Sequence, residues 1–298
     1  MTGNTGNTGN TGNTGSSTGQ GAGSGGTIYP DRFNLPFVDQ PQVIDYPTPR
    51  TLPLDGYRLR DWDAFWYASL AQQELGRCLG YSREAPGGKG VLSYTRPGST
   101  ATQSFEVPAP RPVDRDMVAL LVSLARQERA DAMPEILAQR DEFITQFLGL
   151  LKANPASHPW TTRLFQAASN VGLVAGLQFK ALFNVPRPHE YLPALFPPID
   201  VPGHPSYPSG HATQSWLIAH CAMDILGSPP DDAMGRALHA MAARITRNRE
   251  IAGLHTRQDS EAGRTLAKHL HDVLTDFRGS GDSRFAKCFD EARAEWKR

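Results

Sequence analysis

The sequence predicts an all-α protein built as a helical bundle, and three observations support that prediction. From residue 113 onward, apolar side chains recur at the three- and four-residue spacing of amphipathic helices over most of the chain. Residues 160–184 form one uninterrupted periodic segment, which Pro186 and Pro188 end. Strand-like runs are confined to the stretch 81–112, where Gly, Pro, Ser and Thr are frequent. We therefore expect one α-helical domain.

The N-terminal part of the chain differs in composition from the rest. Residues 2–15 repeat Thr-Gly-Asn, and Gly, Ser, Thr and Gln stay frequent to about Gly26. Such a segment buries too little to offset its ordering entropy, so residues 1–26 are expected to be a disordered tail. Residues 28–53 are punctuated by prolines, which predicts an irregular arm laid over the core. The helical domain itself is expected to span residues 27–298.

The remaining elements follow from periodicity and turn residues. A first helix is expected from Asp61, its cap, to Leu79. Its apolar stripe is expected to face the core: Trp62, Phe65, Trp66, Leu70 and Leu75. Residues 81–112 predict a long loop or small hairpin, with short strands at Gly90–Tyr94 and Ser104–Val107. Further helices are expected over Val113–Ala130, Pro134–Leu151 (with Pro134 in the first turn), 160–184, 211–226, 233–252, 261–277 and 283–297, with a proline-rich loop over 185–210.

Charge and cysteine content argue against several classes of protein. Lys plus Arg and Asp plus Glu number 30 each, so no global field favours nucleic acid or a membrane surface as partner. The cysteines Cys78, Cys221 and Cys288 are widely spaced and form no CxxC pair, which is typical of a reduced protein. The chain shows neither a signal-peptide pattern nor about 18 consecutive apolar residues. We expect a soluble, cytoplasmic protein without a transmembrane segment; an oligomer face on the helices of 113–151 stays open.

The run from His204 to His211, His-Pro-Ser-Tyr-Pro-Ser-Gly-His, combines two histidines with a turn and a following apolar helix. Ser209 and Gly210 precede that helix directly. A turn of this kind presents backbone N–H groups and a hydroxyl at the positive end of the helix dipole, which favours an oxyanion. His211 beside such a site can exchange protons with the group that the anion carries.

Two further groups of residues have related chemistry. Lys180 lies in the last turns of the long helix and Arg187 just beyond its end, so two cations can flank one point. Later in the chain come Arg249, His255 and Asp259. If the chain is helical there, His255 and Asp259 are i,i+4 neighbours, and the carboxylate can fix the imidazole tautomer. Each group alone is more often structural, but their order and spacing together are specific.

These groups read K-x6-R-P, P-S-G-H and R-x5-H-x3-D, beginning at Lys180, Pro208 and Arg249. In this order they resemble the three-part signature of the type 2 phosphatidic acid phosphatase and vanadium haloperoxidase superfamily. The resemblance covers about residues 160–275. It implies an all-α fold with the site between the helices of a bundle. One departure is Asn248, where the family usually has Ser; it concerns local packing more than catalysis.

The resemblance also implies a role for each matched residue that binds the anion. Lys180, Arg187 and Arg249 would neutralise its oxygens. Ser209 and the N–H of Gly210 would donate hydrogen bonds to the same oxygens. Such a set suits phosphoryl transfer, which gains most from preorganised positive charge around the transferred group.

The family supports two activities on this pocket, and the motif does not choose between them. In a phosphatase, His255 attacks phosphorus and becomes a phosphohistidine, Asp259 orients it, and His211 protonates the departing alkoxide. That reaction needs no cofactor. In a vanadium haloperoxidase, vanadate is the cofactor, His255 is its sole protein ligand, and His211 assists peroxide binding.

His204 bears on this choice. The run around it is similar to that of algal bromoperoxidases, which have a second histidine at the matching position, and this favours halide oxidation. Haloperoxidases of the family are generally much longer chains, however, and its small soluble members are mostly phosphatases. We therefore rank a metal-independent phosphomonoester hydrolase first and a vanadium haloperoxidase second.

Two other classes rank lower. A zinc site could draw its ligands from five residues: His189, Glu190, His204, His211 and His255. It would lack the close ligand spacing of known zinc motifs and would lie beside three cations, which repel a divalent metal. A non-catalytic anion-binding module would not need both His211 and His255.

Overall fold

Helices dominate the structure, a computed structural model that describes residues 62–281 and 283–297. Of these residues 63% are helical and 7% lie in strands, which confirms the all-α prediction. The predicted tail of residues 1–26 and the predicted arm of 28–53 lie outside the described residues. In chain order the α-helices are α1 Ala64–Gly76, α2 Arg115–Gln127, α3 Arg129–Asp141, α4 Ile144–Leu150, α5 Pro159–Phe183, α6 Pro188–Tyr191, α7 Gly210–Leu226, α8 Ala233–Ile251, α9 Arg257–Arg278 and α10 Arg284–Glu295.

Helix α7 lies at the centre of the bundle, where it packs against α5, α8 and α9. Two glycines allow its neighbours to come close. A Cβ at Gly172 of α5 would lie 3.2 Å from Gln214 of α7, and one at Gly263 of α9 would lie 2.6 Å from the carbonyl oxygen of Ser209. The first turn of α7 is therefore enclosed by neighbouring helices, which places the end of the histidine run inside the bundle.

A small antiparallel sheet interrupts the helices, with strands in the order β1 (Leu79–Arg83), β2 (Gly90–Thr95) and β3 (Thr102–Val107). The last two contain the short strands that the sequence predicts. Strand β1 was not predicted, and the burial of its residues does not alternate along the strand. The alternating burial of β2 shows the pattern that β1 lacks.

The first helix presents a different face to the core from the one predicted. Asp63, not Asp61, caps α1, since its carboxylate accepts a hydrogen bond from the N–H of Phe65 at 2.9 Å. Trp66 is 62% exposed, so its predicted place in a buried stripe was wrong, whereas Leu75 is buried as predicted. The other buried residues of α1 are Tyr67, Ala68 and Ala71. Two of these residues are alanines, whose contribution to an apolar pattern is easily hidden by neighbouring aromatic residues.

The region predicted as two helices over 113–151 contains three. Glu128 ends α2 and also begins α3, so the chain re-enters a helix without a linker. Pro134 consequently lies inside α3 rather than in its first turn, which corrects the prediction. A second break at Glu142 and Phe143 separates α3 from α4.

The later helices match their predictions closely, except that α9 begins at Arg257 instead of residue 261. The predicted loop of 185–210 contains the short helix α6 and a 3-10 turn at Pro193–Leu195. None of the helices in the described ranges is long and apolar enough to cross a membrane.

Candidate active site

The C-terminal end of α5 positions Lys180. Asn184 ends this helix in the left-handed conformation, with φ of 51° and ψ of 46°. The Lys180 side chain is 2% exposed, and its ammonium donates to the carbonyl oxygens of Pro205 and Ser206 at 2.9 and 2.6 Å. Lys180 thus anchors the chain that leads into the first turn of α7, and the third N–H of its ammonium has no acceptor among the described residues.

Arg187, just beyond α5, is 2% exposed and tied to two loops. Its Nε donates to the carbonyl oxygen of His204 at 2.8 Å, and its Nη1 donates to that of Leu254 at 3.1 Å. Its Nη2 lies 3.1 Å from Nδ1 of His204. The backbone N–H of Arg187 donates to Glu190, which completes a capping box on α6. The guanidinium is thereby held in one orientation beside the loop of His255.

Ser209 caps α7, since its Oγ accepts from the N–H of Ala212 at 3.4 Å. Its own N–H donates to the carbonyl oxygen of Asp259 at 2.9 Å, so the first turns of α7 and α9 are bonded directly. Gly210 is the first helical residue. Its N–H is one of the donors that an α-helix leaves unpaired at its N-terminus.

The His255–Asp259 pair forms through a helix cap rather than a helical turn. His255 precedes Thr256, the N-cap of α9, and Thr256 and Asp259 form a capping box. Oδ2 of Asp259 accepts from the N–H of Thr256 at 2.8 Å and lies 3.4 Å from Nδ1 of His255. The predicted contact is present, although the predicted helical turn over 255–259 is not.

Ser206 is a site residue that the sequence interpretation missed. Its hydroxyl donates to Oδ2 of Asp259 at 2.7 Å, and its oxygen lies 3.2 Å from Nδ1 of His255. Since the serine proton goes to the carboxylate, its lone pair is free to accept from Nδ1–H. Nδ1 of His255 therefore carries the proton, and Nε2 keeps its lone pair. The signal was the position of Ser206 inside the histidine run, which had no assigned role.

His211 is held by α3, an element outside the sequence motifs. Its Nε2 lies 3.0 Å from the carbonyl oxygen of Gln139, and its ring lies 5.2 Å from that of Phe143. A carbonyl oxygen only accepts, so the proton of the neutral imidazole is on Nε2. Nδ1 is then the nitrogen that remains free to exchange a proton.

Arg249 is a buried cation with few partners. It is 1% exposed, and its Nη2 donates to the carbonyl oxygen of Ile136 at 2.9 Å. Its Nε and Nη1 are buried and have no hydrogen-bond acceptor among the residues that the structure describes. Buried guanidinium donors are normally paired, so these two atoms indicate a place for an anion.

The adjacent Asn248, where the motif pattern that the sequence resembles has Ser, supports the packing around Arg249. Its Nδ2 donates to Oε2 of Glu135 and to Oε1 of Gln139, both at 2.9 Å. These bonds join α8 to α3, so the amide is well accommodated at this position.

Burial and like charge lower the pKa values of the basic groups of the cluster, and burial raises the pKa of Asp259. Burial and the charge of Arg187 hold the pKa of the Lys180 ammonium well below its usual range, and the charge of Asp259 opposes this shift. Burial, followed by the charges of Arg187 and Lys180, holds the pKa of His255 well below its usual range. Burial and Arg249 do the same to the pKa of His211. Burial also lowers the pKa of Arg249 to about 10. The cluster therefore disfavours further positive charge, and a bound anion would stabilise the protonated forms of its basic groups.

The electrostatic couplings show that the predicted site residues lie together. His255 is influenced by Arg187, Lys180, His204 and Arg249, and His211 by Arg249, His255 and Arg187. Gly210 and Ser209 belong to the same turn as His211. His204 contacts the cluster through Arg187, and burial lowers its pKa to about 4, so its imidazole is neutral at neutral pH.

A pocket of about 560 Å³ lies beside this cluster and shares Arg187 and His204 with it. His189 and Glu190 of α6 also line it. Within the ranges 62–281 and 283–297, no three metal-ligating side chains come together as a metal site, and this includes the residues of the zinc alternative.

Comparisons with known proteins do not place the chain in a family. No protein-family model matches it, and no curated protein is significantly similar to it.

Proposed function

We propose that this chain is a metal-independent phosphomonoester hydrolase of the type 2 phosphatidic acid phosphatase kind. The observation that carries the proposal is Arg249, a buried guanidinium whose Nε and Nη1 have no acceptor among the described residues. Lys180 and Arg187 supply two more buried cations that act on the same histidine. A phosphoryl group provides the oxygens and the negative charge that this arrangement lacks.

The first step is attack on phosphorus by His255. Its Nδ1 proton is directed to Ser206 and Asp259, so Nε2 presents its lone pair to the phosphoryl group. The low pKa of His255 keeps that lone pair unprotonated at neutral pH. A bond forms between Nε2 and phosphorus while the bond from phosphorus to the ester oxygen breaks. Asp259 then stabilises the positive charge of the phosphorylated imidazole.

His211 supplies the proton that the departing ester oxygen needs. Burial and Arg249 keep the pKa of His211 low in the empty site, but the negative charge of the bound phosphoryl group raises it. Nδ1 of the resulting imidazolium donates to the oxygen, which leaves as an alcohol. A water molecule next attacks the phosphohistidine, and Nδ1 of His211 takes its proton. Inorganic phosphate forms and Nε2 of His255 recovers its lone pair.

A vanadium haloperoxidase is the second candidate, and His204 is the observation that favours it. This neutral imidazole contacts Arg187 and lines the adjacent pocket, where it can meet a second substrate. Lys180, Arg187 and Arg249 would hold vanadate as they hold phosphate, with Nε2 of His255 as its ligand. Bound vanadate would supply the oxidation of a halide by peroxide.

A paired assay separates the two candidates. We expect hydrolysis of p-nitrophenyl phosphate in the presence of a metal chelator, inhibition by vanadate, and loss of activity in His255→Ala. The parallel reaction contains vanadate, hydrogen peroxide, bromide and a dye that is brominated. Bromination without phosphate ester hydrolysis would reverse the ranking, and inactivity in both reactions with no anion binding would reject both.

A further inference from the structure

Two carbonyl groups of α3 hold two site residues that lie on different helices. The carbonyl oxygen of Ile136 accepts from Nη2 of Arg249 at 2.9 Å, and that of Gln139 lies 3.0 Å from Nε2 of His211. Gln139 lies in the last turn of α3, where carbonyl oxygens have no partner within the helix. The end of α3 therefore offers a free acceptor directly at the imidazole.

We propose that Gln139 and Asn248 are positioning residues that fix the orientation and tautomer of His211, so that Nδ1 exchanges the proton. The expected effect on kcat rests on the proposed phosphatase function. The assignment of the His211 proton to Nε2 is independent of that function. Gln139 lies outside the three sequence motifs, and Asn248 directly precedes the third, where it replaces the serine of the pattern that the sequence resembles.

The side chain of Gln139 joins three helices. Its Oε1 accepts from Nδ2 of Asn248 on α8 at 2.9 Å, and its Nε2 donates to Oε1 of Gln146 on α4 at 3.0 Å. Gln139 is 1% exposed and Asn248 is 4% exposed, so water does not substitute for either bond. Buried amide bonds of this kind are costly to leave half satisfied, which gives the end of α3 one defined position.

Asn248 also ties α3 to the anion-binding cation. It donates a second bond to Glu135 at 2.9 Å, one turn before Gln139 on the same helix. Its neighbour Arg249 bonds to Ile136 on that helix. A displacement of α3 relative to α8 would therefore disturb the bonds that α3 makes to His211 and to Arg249 at the same time.

The end of α3 has a second effect on His211. The negative end of a helix dipole stabilises a protonated imidazole, and a bond from Nε2–H to Gln139 acts in the same direction. Both effects raise the pKa of His211, whereas burial and the charge of Arg249 lower it. The same contact thus sets the tautomer and makes the imidazolium accessible once a phosphoryl group is bound.

The test compares variants at this junction. Asn248→Ala and the nearly isosteric Asn248→Leu remove the two N–H groups that Asn248 donates to Glu135 and Gln139 of α3. Gln139→Ala removes the side-chain oxygen that accepts from Asn248 and keeps the backbone carbonyl at His211. Arg247→Met is the matched control, because it breaks an exposed ion pair with Glu128 at 2.8 Å between α8 and the start of α3. The imidazole nitrogens of His211 are observed by ¹⁵N NMR, assigned with His211→Gln, and the pH profile of kcat is measured with p-nitrophenyl phosphate.

We expect a single tautomer with the proton on Nε2 in the wild-type protein and in Arg247→Met. Both Asn248 variants and Gln139→Ala should show a mixture of tautomers, a fall in kcat of about tenfold and a displaced basic limb of the pH profile. The double variant Asn248→Ala/Gln139→Ala should add little to either single change.

Unchanged tautomer and pH profile in the Asn248 and Gln139 variants would overturn the proposal, even if their thermal stability falls. The same applies if wild-type His211 carries its proton on Nδ1. If the tautomer responds as expected but no variant or wild-type protein hydrolyses phosphate esters, the positioning network stands and the proposed function fails.

Discussion

The hydroxyl of Ser206 lies 2.7 Å from Oδ2 of Asp259, although the two residues are far apart in the chain. Asp259 also accepts from the N–H of Thr256 at 2.8 Å, so one carboxylate oxygen caps α9 and orients the loop of Ser206. Nδ1 of His255 lies within 3.4 Å of the same oxygen. His255, the nucleophile of the proposed reaction, is thus oriented by a helix cap and a serine rather than by a carboxylate alone.

Ser206→Ala should lower kcat for p-nitrophenyl phosphate by about tenfold, because His255 loses one of the two acceptors that fix its tautomer. KM should change little, since Ser206 does not bind the anion. Ser215→Ala is the control, as Ser215 is a buried serine of α7 whose hydroxyl donates to the backbone carbonyls of Ala212 and Ala242. Equal kcat in the two variants would show that the Ser206 bond has no role in catalysis.

Arg249→Met should separate stability from anion binding. The variant removes a buried charge with two unpaired donors, so we expect the free energy of unfolding of the empty protein to rise by about 1 kcal/mol. Wild-type protein should be further stabilised by vanadate, and the variant should not. Thermal unfolding with and without vanadate measures both effects. A variant that vanadate still stabilises as strongly as the wild type would contradict the assignment of Arg249 to the anion.

The depressed pKa values of the buried histidines predict acid sensitivity of the empty protein. The pKa of His211 is held well below 6.5, and that of His204 falls to about 4. Below pH 6.5 the unfolded chain binds more protons than the folded chain. The contribution of these histidines to the free energy of unfolding is therefore fully present above pH 6.5 and is lost as the pH falls toward about 4. Glu142, whose pKa burial raises to about 7, acts in the opposite direction, so variants must be compared with wild type at each pH.

Thermal unfolding of wild type and His211→Gln between about pH 6.5 and pH 4 tests whether His211 lowers the stability of the protein as the pH falls. The fall in Tm on acidification should be smaller in His211→Gln, because one proton-binding difference between folded and unfolded states is gone. Parallel curves would mean that His211 is not depressed in the folded protein.

Deletion of residues 1–26 should leave kcat, KM and Tm unchanged. The segment is rich in Gly, Thr and Asn and has almost no apolar side chains with which to contribute to a core. Full-length and shortened chains assayed together test this. A large loss of activity on deletion would show that the segment contributes to the site or its substrate.

Much of the fold could be predicted because long amphipathic segments carry a strong periodic signal. Helices α5, α7 and α8 followed from that signal and from the proline and glycine residues at their ends. The face of α1 could not, because packing against α5 and α10 selected its alanines over Trp66. Helix α3 also differed, since it begins at Arg129 and continues through Pro134, a residue that normally marks the start of a helix.

The candidate site was predictable as a set of residues but not as a set of bonds. Spacing pointed to Lys180, Arg187 and Arg249, because cations and histidines in that order are unusual together. Ser206 and Gln139 had no such signal. Ser206 acts through its hydroxyl and Gln139 through a backbone carbonyl, and which carbonyl meets His211 depends on how α3 packs. Contacts made by the main chain leave little trace in residue type.

The central claim is that His255 carries the phosphoryl group, and trapping that intermediate tests it most directly. Rapid mixing with a labelled phosphomonoester, followed by an alkaline quench and peptide mass spectrometry, should reveal phosphate on Nε2 of His255. With an activated ester, the leaving group needs no proton, so His211→Gln should still form the phosphohistidine. Hydrolysis of that intermediate still needs a base, so the label should accumulate more in His211→Gln than in the wild-type protein. Steady hydrolysis with no label on His255, or full activity in His255→Ala, would contradict the account.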